Sequence, residues 1–192
     1  MTVTNQFKDR VQLVTYLVRK FGSDGVPLVK AVKLVALADI YALRYYGTTL
    51  SKDVYLAMKN GPVASEIDNI IEQSDKYLGD IEKLKYVQEF LRRDEGDTWS
   101  SKVRAVKDAD GDYLSEWDTE TIDMIYDTFK KCTPAQLIDM THQYSAWKKH
   151  EKQLSESKRK VQIDERDFFE NDGELSVSPD AIKLSKEFYG AV

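Results

Sequence analysis

Residues 27–47 read PLVKAVKLVALADIYALRYYG, and this stretch decides the fold class. Proline suits a first helical turn, where its missing N–H has no intrahelical partner to lose. From Pro27 to Tyr46 the segment is apolar nearly all round, the pattern of a helix buried on most sides. Gly47 supplies the stop. At about 100° per residue, Lys30, Lys33 and Arg44 fall within about one-sixth of a turn of one another. They are expected to mark the narrow face that reaches water. Asp39 lies off that face, within Leu37-Ala38-Asp39-Ile40. A carboxylate there costs several kcal/mol, on the order of 2–7 for an uncompensated polar group, unless something hydrogen-bonds it. Asp39 is therefore expected to be a buried tie, satisfied by His142 or by a backbone amide near Gly61.

Around this centre the chain reads as further helices. Val11, Val14, Leu17, Val18 and Phe21 recur at three- and four-residue steps, which predicts a helix over 4–21 closed by Gly22. Residues 54–58 read as extended, and Asn60-Gly61-Pro62 as a turn. Ser65 with Asp68 has capping-box spacing and opens a helix over 64–73. Another helix is expected over 80–92. Trp99 to Val106 alternates and runs into Asp108-Ala109-Asp110-Gly111, which suggests a strand and tight turn in a small hairpin. Ser115 and Asp118 cap a helix over 117–130, and Thr133-Pro134 opens one through Leu137, Ile138 and Thr141. Helices are also expected from Ala146 to Arg159 and over 180–189, with a loop from Asn171 to Pro179. The expected fold is mainly α: a compact helical domain around a buried central helix, 27–46, with a small β-hairpin element. Residues 1–160 would form the domain, and 161–192 an acidic extension, with a short helix, packed on it.

The chain has 192 residues, enough for a single core that buries roughly 70% of its surface. Hydrophobic residues are 42% and charged residues 32%, which excludes a disordered or collagen-like chain. A single cysteine, Cys132, permits no internal disulfide and fits a cytoplasmic setting. No signal pattern or membrane-spanning run is present. The net charge of −5 lacks the basic footprint that phosphate binding requires. The basic run from Lys148 through Lys158-Arg159-Lys160 is interrupted by Glu151 and Glu156, and it adjoins the acidic segment after Val161. The two are expected to pair internally.

Chemistry-bearing motifs are scarce. No glycine-rich phosphate loop, C-x-x-C or H-E-x-x-H occurs. Asp139, His142 and His150 could share a metal only by fortunate spacing, and Cys132 with His142 lacks any nucleophile motif. No cofactor is expected.

Three segments together are more specific than any alone. These are 33–47, ending Ala38-Asp39-…-Tyr46-Gly47; 55–67, containing Gly61-Pro62-Val63-Ala64-Ser65-Glu66; and 137–147, with Thr141-His142 and Trp147. In order and spacing they resemble the Panacea domain, the SocA-like antitoxin domain of bacterial and phage toxin–antitoxin systems. The resemblance covers about residues 8–150; Asn60 departs from it, standing where an aromatic often precedes Gly-Pro. It implies a mostly helical domain that binds and neutralises a protein toxin encoded beside it. In one branch the antitoxin delivers its toxin to a Clp-type protease, which is the alternative function. A small hydrolase using Asp39 or His142 and a nucleic-acid-associated phage protein come lower. Carried over, the signature falls on Asp39, Gly47, Gly61, Pro62, Ser65, Glu66, Thr141, His142 and Trp147. Most of these suit structural roles, with Thr141 and His142 satisfying Asp39 and Trp147 packing over that junction. Toxin contacts are expected instead on exposed variable positions: the 74–98 region and the hairpin near Asp108 and Asp110. The sequence leaves the oligomeric state open.

Overall fold

The computed structural model describes residues 3–74, 79–156, 159–170 and 172–191. Part of the 74–98 region, Lys158 of the basic run and the first residue of the Asn171–Pro179 loop lie outside the described residues. Helix α1, Asn5–Arg19, begins where the Thr4 hydroxyl accepts the Phe7 N–H. Helix α2, Leu28–Tyr46, runs through the middle of the molecule, and sixteen of its nineteen residues are buried. Gly47 closes it at φ 79°, donating its N–H to the Leu43 carbonyl. Packed on α2 are α3 (Ser65–Glu72), α5 (Glu116–Phe129), α6 (Pro134–Thr141) and α9 (Pro179–Ala191). Helix α4 (Ile81–Phe90) packs on α1. Two reciprocal capping boxes set helix starts: Ser115 with Asp118 for α5, and Thr133 with Gln136 for α6, with Pro134 in its first turn.

Among the described residues, two small antiparallel sheets complete the fold. One is ordered β1-β5-β4, from Val26–Pro27, Lys102–Ala105 and Leu91–Arg93. The other is ordered β3-β2-β6, from Gly61–Ala64, Tyr55–Met58 and Lys160–Gln162. The fold is mainly α with small β elements, as expected, but three local expectations are corrected. Strand β5 pairs backwards with β4 and β1, so the 108–111 turn closes no hairpin. That turn leads into a 3₁₀ turn, Gly111–Tyr113, capped by the Asp110 side chain. The helix expected over 146–159 is two pieces, α7 (Ser145–Lys148) and α8 (Glu151–Glu156). Ala146 and Trp147 are buried in α7, whereas α8 buries nothing, and the chain must turn so that Lys160–Gln162 can add to the β2 edge. Ser65 does not cap α3. The Asp53 carboxylate, reaching across from the loop before β2, accepts the Glu66 and Ile67 amides at 2.6 and 2.9 Å.

The cationic face of α2 is the largest correction. Lys30, Lys33 and Arg44 are all buried rather than turned to water. Each reaches backbone carbonyls. Lys30 donates to Lys130 at 2.7 Å, Lys33 to Pro62 at 2.8 Å, and Arg44 to Phe168, Glu170, Asp172 and Leu175. Segment 160–191 is thereby tied to the central helix: β6 pairs with β2, Phe168 and Phe169 are buried, and α9 lies along α2. Among the described residues, the basic run and the acidic segment meet in an ion pair from Lys149 to Asp167 at 2.5 Å.

Candidate functional site

Asp39 and the Gly61, Thr141, His142 and Trp147 group fall in two separate clusters, both anchored on α2. The first surrounds Asp39, which has no exposed surface. Its carboxylate accepts the Ser51 N–H at 2.9 Å, the Ser51 hydroxyl, and the Tyr55 hydroxyl at 2.8 Å. Burial pushes the Asp39 carboxyl up to about 6, against the hydrogen bonds from Ser51 and Tyr55 that favour its ionised form. Asp39 is thus the buried tie expected of it, but its partners are not His142, Thr141 or an amide near Gly61.

The second cluster explains why. Lys33 lies six residues before Asp39, which at about 100° per residue sets the two side chains roughly 120° apart around the helix. It is Lys33, not Asp39, that faces the β2–β3 turn and α6. Gly61, at φ 104°, leaves room there. A Cβ on it would stand 2.7 Å from the Thr141 hydroxyl, 2.9 Å from Lys33 Nζ and 3.4 Å from the His142 ring. The His142 ring stacks on Trp147, with centroids 3.7 Å apart and planes 8° apart. The Trp147 indole N–H donates to the Met58 carbonyl at 2.8 Å. Trp147 therefore packs over His142 and the β2–β3 hairpin rather than over Asp39. Burial pushes the Lys33 amine down to about 7 and the neighbouring Asp68 carboxyl up to about 6. His142 is held below the ordinary imidazole range, first by burial and then by Lys33. Its Nε2 is buried and has no hydrogen-bond partner among the described residues.

Glu66 stands apart from both clusters. Its carboxylate pairs with Arg10 and with Lys83, the latter at 2.8 Å, and so fastens α3 to α1 and α4. Asp108 and Asp110 are exposed; Asp108 pairs with Arg19 at 2.7 Å. Ser51, Asp53, Tyr55 and Lys33 were not singled out as site residues, and each acts through backbone or through a partner that only the fold brings near. Among the described residues, no group of three or more His, Cys, Asp or Glu could hold a metal ion. No helix among them is long and apolar enough to cross a membrane.

A family model described as antitoxin SocA-like, Panacea domain, matches residues 32–148. That is more than half of the chain, from the second turn of α2 through α7. The chain belongs to this family. Membership gives the Panacea domain seen here a general role in toxin–antitoxin biology. No curated protein and no solved structure shows a significant match to the chain.

The Gly61 junction makes a prediction. Gly61→Ala should cost about 3 kcal/mol, because strained left-handed backbone costs about 1–2 kcal/mol and the new methyl must displace Thr141 or Lys33 besides. Gly22→Ala is the control: φ there is 66°, and nothing stands within 4 Å of the added carbon. Its loss should be about 1 kcal/mol. Urea titrations of the two variants would have to show equal losses for the junction to carry no steric constraint.

Proposed function

We propose that this Panacea-domain chain is an antitoxin that binds a protein toxin encoded by an adjacent gene and neutralises it by masking its working surface. The observation behind this reading is the family match, joined to the burial of Asp39, Gly61, Thr141 and Trp147. Residues spent on holding the interior leave the exterior free to differ from one partner to the next. No catalytic step is required of the chain. Asp39 has no exposed surface for a substrate to touch, and the Lys33 amine is enclosed beneath the β2–β3 turn. Asp108 and Asp110 belong to the proposed contact surface. Asp108→Lys breaks only an exposed ion pair with Arg19, whereas the Asp110 carboxylate caps the 3₁₀ turn by accepting the Asp112 N–H, so Asp108 is the cleaner probe.

Co-expression with the product of the adjacent gene tests the function, scoring growth and co-purification in the same cells. Growth arrest by the neighbour alone, with rescue and a stable complex when both are made, is the expected result. Rescue with loss of the toxin would replace masking by delivery to a Clp-type protease. A harmless neighbour that does not co-purify would sink the reading.

A further inference from the structure

An aromatic platform lies on the exterior where α2 ends against α5. Tyr46, the last residue of α2, lies flat against Trp117 of α5, with centroids 5.1 Å apart and planes 4° apart. Tyr45 stands edge-on to Tyr46 at 4.9 Å. Trp117 is 60% exposed and Tyr45 50%. Trp117 and Tyr46 form one wall of a cavity of about 510 Å³, whose other walls are the 48–52 loop, α1 and the 112–115 segment. An indole held by a neighbouring ring has little rotamer freedom left to lose on binding, and Trp and Tyr anchors carry much of the energy of protein contacts.

The charges around this platform are mostly of one sign. Asp9, Asp112 and Asp118 line the cavity against one cation, Lys52. Asp118 is occupied in the α5 capping box, but among the described residues neither Asp9 nor Asp112 has an ion-pair partner. Elsewhere the chain covers its own aromatic faces with cations: Lys20 over Tyr16 at 4.6 Å, Lys130 over Tyr126 at 5.2 Å, Lys30 over Phe21 at 5.2 Å. Among the described residues no such cation lies over Trp117 or Tyr46. A flat π-face flanked by unpaired carboxylates is what an arginine side chain meets best. The guanidinium stacks on the ring while its edge N–H groups reach the carboxylates.

We propose that this groove is the docking site for an arginine-bearing basic segment of the partner toxin, with Trp117 as anchor and Asp9 and Asp112 as counter-charges. It rests on the toxin-binding function above and gives that binding a place and a chemistry. The 3₁₀ turn holding Asp112 follows directly on Asp108 and Asp110, so the groove and the proposed acidic contact surface adjoin along the chain.

The test uses the full chain and short peptides of defined charge. A hexapeptide alternating Arg and Ser is titrated while the indole N–H resonances are followed by NMR, the Trp117 signal being assigned with Trp117→Phe. Glu–Ser and Gly–Ser hexapeptides are the controls. The expected result is a saturable shift of the Trp117 signal with the basic peptide only. Binding, measured in every variant by calorimetry, which needs no indole at position 117, should weaken at least tenfold in Trp117→Ala and in Asp9→Lys/Asp112→Lys, and stay unchanged in Glu151→Lys, which reverses an exposed acid on α8. Absence of a saturable Trp117 shift overturns the proposal, and so does equal weakening by Glu151→Lys. These peptide outcomes judge the groove alone. Co-purification of the wild-type chain with the neighbouring gene product judges the antitoxin function, so the groove can fail while that function stands.

Discussion

Replacing Arg44 by Ala is expected to destabilise the protein by about 4 kcal/mol and to release segment 160–191 before the rest of the chain unfolds. No part of the Arg44 side chain reaches solvent. Its Nε donates to Phe168 at 2.6 Å, and one terminal nitrogen to Asp172 and Leu175 at 2.8 and 2.7 Å. The other takes the Glu170 carbonyl and the Asp172 carboxylate. The guanidinium lies 5.1 Å over the Tyr144 ring, and the other Asp172 oxygen accepts the Ser145 N–H at 2.6 Å. One side chain thus pairs four carbonyls spread from the 3₁₀ helix Glu165–Phe169 to Leu175. Removing it strands them, at about 1–3 kcal/mol for each that water cannot reach. Partial opening of the segment would hydrate some, which is why the sum is capped and why local release comes first. Arg44→Lys, which keeps the charge but not the planar fork, should lose about 3 kcal/mol and serves if the alanine variant does not fold. Chemical denaturation gives the totals, and amide hydrogen exchange locates the opening. A loss under about 1 kcal/mol with unchanged protection over 160–191 would show that the segment is held by its apolar contacts alone.

How far the sequence reveals such residues depends on what they bind. Helix α2 was legible because burial on most sides leaves a run of apolar residues, and Gly47 because a helix end needs a backbone that tolerates the left-handed region. The Ser115–Asp118 box was legible because both partners lie three residues apart. Asp39 could be recognised as buried for the reason that nothing else on its flank is polar. Its partners could not, because Ser51 and Tyr55 are ordinary residues until the 48–54 loop folds back over α2. Lys33 and Arg44 defeat a periodicity argument for a deeper reason. Periodicity treats a cation as a marker of water, yet both stems extend to backbone carbonyls, at Pro62 and at Phe168 through Leu175, and a carbonyl leaves no mark in a sequence. His142 and Trp147 were expected around Asp39 but lie with Lys33 and Gly61, because a step of six residues along α2 changes which face is in play.

Asp39 carries the second large effect, and pH separates its parts. Asp39→Ala leaves the Ser51 amide, the Ser51 hydroxyl and the Tyr55 hydroxyl without their acceptor in a fully buried place. The expected cost is about 3–5 kcal/mol, at the upper end of what single buried polar deletions produce. Asp39→Asn keeps the shape and one acceptor oxygen, and its amide can donate to the Tyr55 oxygen, so it should lose only about 1–2 kcal/mol at neutral pH. The Asp39 carboxyl is raised from 3.8 in the unfolded chain to about 6 in the fold, so between these values the native state holds more protons than the unfolded one. Stability from this group is therefore fully present below pH 3.8 and declines as pH rises through 6. Asp68, raised to about 6 as well, adds a decline of the same sign. In Asp39→Asn the Asp39 share disappears, and the fall in stability between pH 4 and pH 6.5 should become shallower while the Asp68 share remains. The variant should then compare worst with wild type in acid and best near neutrality, which denaturation at matched pH values would detect. Parallel curves across that range would mean that Asp39 stays ionised throughout, with the donors from Ser51 and Tyr55 outweighing its burial. The carboxylate would then stabilise the loop over α2 at every pH where the protein folds.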